Sequence, residues 1–193
     1  MAVSPSTSRV VALTCNSDVR SQAIYGIEAS ISLGAASTLA ISYRLIADTN
    51  RLRVPLAAVP RRVEGLWQHT CFEVFIQTNA SPDYYEFNFS PSREWAGYLF
   101  RSYRDGGPVD DEGLAPEMVV RREANKIELD AVVRLDRLTG LRSGSLLRLG
   151  LSAVIEDNDG KLSYWALKHP ADRPDFHHPD SFSLELALPE RSA

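Results

Sequence analysis

Little in this chain of 193 residues could cross-link it, anchor it or bind a redox centre. It has two cysteines, two methionines and four histidines. Two cysteines exclude a disulfide framework, and neither lies in a C-x-x-C zinc or redox motif. A Cys15–Cys71 bridge would contribute about 4 kcal/mol on loop-closure grounds. The N-terminal MAVSPSTSRVVAL has no long apolar segment of a secretory signal, so two thiols and a cytoplasmic location are expected. No apolar run reaches the ~18 residues that a membrane-spanning helix needs. The basic residues occur in pairs, Arg61-Arg62 and Arg121-Arg122, and the formal net charge is −4. That balance argues against a general binder of nucleic acid or of anionic membranes. There is no glycine-rich phosphate loop, no G-x-S-x-G motif, no internal repeat and no long amphipathic helix pattern.

What the chain does have is period-two alternation. Tyr25, Ile27, Ala29, Ile31 and Leu33 share one face of a strand over Ala23–Leu33, and Leu39, Ile41, Tyr43 and Leu45 share one face over Thr38–Ala47. Further strands are expected at Val10–Cys15, Thr70–Gln77, Tyr84–Ser90, Trp95–Tyr103, Glu117–Glu123, Lys126–Arg134, Leu146–Glu156, Leu162–Lys168 and Phe182–Leu188. Loops are expected at Asp48–Gly65, Arg104–Pro116 and His169–Asp180, and Leu135–Ser145 has room for one helical turn. About ten short strands between turn signals describe an all-β antiparallel sandwich or barrel. Residues 1–8 read as a flexible leader and residues 9–189 as one domain.

Two stretches concentrate rings and polar groups: Trp67–Tyr103 and Ser163–Phe182. On adjacent strands, Glu73, Glu86 and Asn88 sit among bulky rings. A carboxylate placed there is costly unless paired or hydrogen-bonded. Arg101, on the next strand, is a candidate partner. These residues form either a cross-strand polar ladder or the polar lining of a ligand cleft. Trp67, Trp95 and Trp165 serve either as core packing or as flat platforms for a ligand, and Trp67, beside a long loop, fits the second role best. His169, His177 and His178 crowd one loop, where they pin the loop, touch a ligand or hold a metal; their spacing matches no zinc signature.

Other chemistries have weaker signals. Haem ligation would draw on Met118 or a histidine. His69 and Cys71 could form a nucleophile and base. Glu73 with Glu86 could act as an acid–base pair in a hydrolase or isomerase. A protein-interaction module is the remaining alternative. The expected site therefore comprises Trp67, Glu73, Glu86, Asn88, Trp95, Arg101, Trp165, His169 and His177, with no catalytic residue and no required cofactor. The expected partner is a saccharide or another small polar ligand, and the residues leave the oligomeric state open.

A family likeness adds to this reading. The run Gly65-Leu66-Trp67, then Thr70-Cys71-Phe72-Glu73, Tyr85-Glu86-Phe87-Asn88-Phe89-Ser90-Pro91 and Trp95 resembles the DOMON-like domains related to family nine carbohydrate-binding modules. The later Ser163-Tyr164-Trp165-Ala166-Leu167, His169-Pro170 and Pro174-Asp175-Phe176-His177-His178 resemble the end of a bacterial branch of that group. The resemblance implies a sandwich of two antiparallel sheets, of jelly-roll or immunoglobulin-like shape, that binds a sugar or a haem and catalyses nothing. It also implies Trp67 as a ring platform and Glu73 as a hydrogen-bond acceptor.

Overall fold

Alternation along each strand gives it one face for a dry core and one for something else. A computed structural model describes residues 8–16, 21–34, 37–78, 81–141, 144–170 and 173–189. The leader apart from Ser8, and Asn79, Ala80, Arg142, Ser143 and Asp172 of the expected turns and loops, lie outside the described residues. Among the described residues there are twelve strands: β1 Arg9–Cys15, β2 Ile24–Gly34, β3 Thr38–Ala47, β4 Cys71–Thr78, β5 Tyr84–Phe89, β6 Trp95–Ser102, β7 Asp105–Pro108, β8 Glu117–Glu123, β9 Lys126–Arg134, β10 Leu146–Glu156, β11 Leu162–Ala166 and β12 Leu184–Ala187.

All neighbouring strands pair antiparallel, in the order β7-β6-β5-β4-β10-β11-β1-β2-β3-β9-β8, with β12 beside the start of β10. β1 joins the two layers. Its residues Arg9–Leu13 pair with β2, whereas Thr14 and Cys15 pair with Ala166 and Trp165 of β11. One layer is β8-β9-β3-β2-β1, and the other is β7-β6-β5-β4-β10-β11.

The core lies between the layers. Ile27, Ile31, Leu39, Ile41, Tyr43 and Leu45 of the first meet Phe72, Val74, Ile76, Phe87, Phe89, Leu149 and Leu151 of the second. Burying each such side chain contributes roughly 1.5–3 kcal/mol, so this interface dominates the stability. Tyr43 stacks on Phe72 at 5.0 Å between ring centroids, and its hydroxyl donates to the Glu73 carbonyl. β7 forms where a loop was expected. Its DGGP sequence has no side-chain alternation, and it is held by backbone pairing to β6.

The outer face of the second layer is not bare. Phe182 lies across β10 against Phe75, with ring centroids 5.6 Å apart. This close approach depends on Gly150, where an added Cβ would stand 2.9 Å from the Phe182 ring and 3.4 Å from the Phe75 Cβ. Gly150→Ala is expected to destabilise by roughly 1–3 kcal/mol through overpacking. Urea unfolding checks this. Combined with Phe182→Ala, the penalty of the alanine at position 150 should shrink, and strictly additive losses would contradict the packing described here.

Candidate functional site

The outer face of the second layer is built in rows. Asn88, Glu73 and Ser152 lie directly opposite one another on β5, β4 and β10. The next row runs Tyr98, Glu86, Phe75 and Gly150, and the one after it holds Phe100, Tyr84 and Gln77. Period two forces this outcome. Once Phe72, Val74, Ile76, Phe87 and Phe89 enter the core, the intervening acids, amide and rings must point outward.

They do not reach open water. A hollow of about 370 Å³ is lined by Trp67, Glu73, Phe75, Glu86, Tyr98, Phe100, Arg104, Val154, Tyr164, Pro174, Phe176 and His177. Its size falls within the usual range for a small-molecule site, roughly 300–1,000 Å³. Glu73 and Glu86 are 2% and 5% exposed. The Ser152 hydroxyl donates to Glu73 Oε2 at 3.0 Å, and Asn88 Nδ2 donates to Glu86 Oε1 at 2.9 Å. Asn88 is 0% exposed, and its Oδ1 has no partner among the described residues.

Burial sets the protonation of this floor. It pushes the Glu73 carboxyl up to about 8; the charge of Glu86 adds to the rise, and the Ser152 hydrogen bond opposes it. Burial also raises Glu86 to about 7, against the Asn88 hydrogen bond and the charge of Arg104. The two titrate as a pair that keeps a proton at neutral pH. His177 is driven down to about 4, by burial first and by Arg104 second, so its imidazole is neutral. Its Nε2 lies 3.6 Å from Glu86 Oε2, too far for a hydrogen bond and without the charge for an ion pair. The Tyr84 hydroxyl accepts the Arg104 N–H at 3.1 Å and lies 2.9 Å from His177 Nδ1. Donating its own proton to Nδ1 satisfies both groups, which assigns the Nε2–H tautomer. Burial keeps Cys71, on the same strand face as Glu73, a thiol rather than a thiolate.

Two long loops form the rim. The first, ahead of β4, is tied down by backbone bonds: Arg53 N to Glu156 O, Ala58 N to Ser92 O, Trp95 N to Arg61 O and Val63 N to Trp95 O. It ends at Gly65, whose φ of 77° opens the single 3-10 turn Leu66–Gln68. The Gly65 N–H donates to the Tyr98 hydroxyl at 3.3 Å. The turn leaves Trp67 51% exposed at the lip. The second loop is anchored through Asp175, which accepts from the Tyr103 hydroxyl at 2.6 Å and from Arg104 Nη2 at 2.9 Å. That anchor sets His177 edge-on to Phe75 and Phe100, with centroids at 5.2 and 4.9 Å.

Of the residues expected from sequence, the structure brings Trp67, Glu73, Glu86 and His177 together around this hollow, with Asn88 beside Glu86. The others lie elsewhere, which corrects their expected role. Trp95 and Trp165 are 2% and 3% exposed and belong to the core; Trp95 shares strand parity with Leu99 of β6, and Trp165 with Leu167 just past β11, both of which pack against that core. The Trp165 indole donates to the Ser163 hydroxyl. Arg101 sits where the β6–β7 register shifts between Phe100 and Ser102, and it is exposed, so it does not partner the acids. His169 Nε2 donates to the Thr14 carbonyl at 2.8 Å and fastens the β11 end to β1. His178 caps the turn Pro179–Ser181 by accepting from Asp180 N. Among the described residues no group of three or more His, Cys, Asp or Glu side chains is placed to hold a metal. Sequence reasoning missed Phe75, Tyr98, Phe100 and Tyr164 as lining residues. Extending the same alternation from Glu73 and Glu86 would have found the first three.

Raised carboxyl values fix the sign of a pH dependence. Below about 4.5 both acids are protonated whether the chain is folded or unfolded, and their burial costs least. As pH rises through 7 and 8 the folded protein must ionise buried groups or hold protons that the unfolded chain has already lost. Stability contributed by this pair therefore falls between about pH 4.5 and 8. Melting temperatures across that window should decline more steeply for the wild type than for Glu73→Gln. Parallel curves would contradict the assignment.

No protein-family model matches the chain, and no curated protein matches its sequence. Solved structures match its fold. A candidate carbohydrate-binding protein from Bacteroides uniformis ATCC 8492 aligns with a TM-score of 0.61 at 15% identity, over 85% of this chain and 79% of that one. A carbohydrate-binding module of family nine from Caldicellulosiruptor kristjanssonii, in complex with glucose, aligns with a TM-score of 0.51 at 12% identity, over 91% of this chain and 81% of that one. The same module in complex with cellotriose gives a TM-score of 0.53 at 12% identity, over 91% and 80%. These likenesses are of fold, and the fold is an antiparallel β-sandwich.

Proposed function

We propose that the chain is a non-catalytic binding module of the DOMON-like kind that holds a saccharide in the hollow of the second layer. The observation that supports this most is the juxtaposition of the half-exposed Trp67 ring with buried Glu73 and Glu86 around one opening. A sugar has an apolar C–H face suited to a ring and a rim of hydroxyls suited to convergent acceptors. Both carboxyls are already steadied by Ser152 and Asn88, which favours fixed recognition over proton shuttling. The similarly folded family-nine module binds glucose and cellotriose, and its fold is compatible with the same use here.

Trp67→Ala tests the reading. Titration calorimetry with cellotriose should show affinity falling at least tenfold, or about 1.4 kcal/mol. Stability should change little, because the ring is half exposed. Trp95→Ala should instead destabilise by roughly 3–5 kcal/mol, as a core truncation. A glycan array on which Trp67→Ala and wild type give the same binding would overturn the assignment of Trp67.

A further inference from the structure

The buried floor of the hollow offers more hydrogen-bond acceptors than donors. The Ser152 hydroxyl is spent on Glu73 and the Asn88 amide on Glu86. What remains is mainly acceptors: the carboxyls, which share a proton, and Asn88 Oδ1, which is fully buried without a partner among the described residues; the His177 Nε2–H, 3.6 Å from Glu86 Oε2, is a donor beside them. The charges are equally one-sided. Facing the acids are the Cys71 thiol from β4 and the Tyr84 and Tyr98 phenols from β5 and β6; none carries a positive charge. His177, from the C-terminal loop, is neutral. Arg104 is the one cation lining the hollow among the described residues, and its guanidinium is engaged by Asp175 at 2.9 Å. Around this floor stand the rings of Trp67, Tyr98, Phe100, Tyr164 and Phe176, whose π faces attract cations.

We propose that the saccharide taken by this hollow carries a free amino group, held as an ammonium ion by Glu73 and Glu86 within the ring-lined cavity. This rests on the saccharide reading above and narrows it to amino sugars. An ammonium supplies three donors to a floor that offers acceptors, and it supplies the positive charge that the pair lacks. A neutral sugar would leave the two acids to limit their repulsion by keeping a proton. Binding an ammonium lets that proton go: one carboxyl proton passes to the buffer, the amino sugar remains a cation, and the charge balances.

Titration calorimetry of the wild-type protein at pH 7 tests this with three disaccharides: fully deacetylated chitobiose, N,N′-diacetylchitobiose and cellobiose. Two buffers of different ionisation heat report any proton released. The expected result is deacetylated chitobiose binding at least tenfold tighter than either neutral sugar, with proton release. Glu73→Gln and Glu86→Gln should each collapse that ratio. If one variant fails to fold, the other and the wild-type proton count still decide. Deacetylated chitobiose binding no tighter than cellobiose, while cellobiose binds, would overturn the amino-sugar class and leave the saccharide reading standing. Tighter binding without proton release, or a ratio unchanged in both variants, would also overturn it by putting the ammonium elsewhere. Failure of all three sugars to bind a cooperatively folded protein would sink both.

Discussion

Two carboxyl groups held out of water on one sheet face are the constraint to which the rest of this architecture answers. Glu73 and Glu86 are carried by strands whose opposite faces are locked into the core by Phe72, Val74, Ile76, Phe87 and Phe89. They cannot turn away without a register shift that would expose those core residues. Burial then raises both carboxyls, and the Ser152 and Asn88 side chains steady them. A fold that needed only stability would fill these positions more cheaply with apolar residues. Their presence beside an open hollow is what gives the functional reading its weight.

The remaining architecture keeps that hollow shaped. The Gly65 turn lifts Trp67 to the lip, and the Tyr98 hydroxyl holds the turn. Asp175, gripped by Tyr103 and Arg104, brings His177 and Phe176 over the opposite side. Gly150 leaves room for Phe182 to close the sheet beyond the hollow. Two segments far apart in sequence thus border one opening, with β10 running between them.

Strand parity was the legible part. It marked Glu73, Glu86 and Asn88 as out of place on ordinary faces, while the turn signals marked the hairpins and left the long-range pairs of β3 with β9 and β4 with β10 unseen. Trp67 was legible from its position after a long loop. Parity could also have put Trp95 inside, since that residue shares a face with Leu99, but the three tryptophans were grouped by chemistry rather than by face. Arg101 was misplaced for the same reason: it has the parity of Trp95 and Leu99, not of Tyr98 and Phe100, the β6 residues on the acids' face. His169 and His177 looked alike in sequence. Only long-range bonds, to Thr14 in one case and Tyr84 in the other, separate a fastening from a wall of the hollow. The Arg104–Asp175 tie spans the chain and leaves no local trace.

The three indole N–H groups offer the most direct test, because one lies at the lip and two lie in the core. In a nitrogen–proton correlation spectrum titrated with cellotriose, the account predicts that the Trp67 indole signal moves in a saturable way. The Trp95 and Trp165 signals should stay in place. A Trp67 signal that does not respond, or saturable shifts confined to Trp95 and Trp165, would contradict the claim that this hollow is where a saccharide binds.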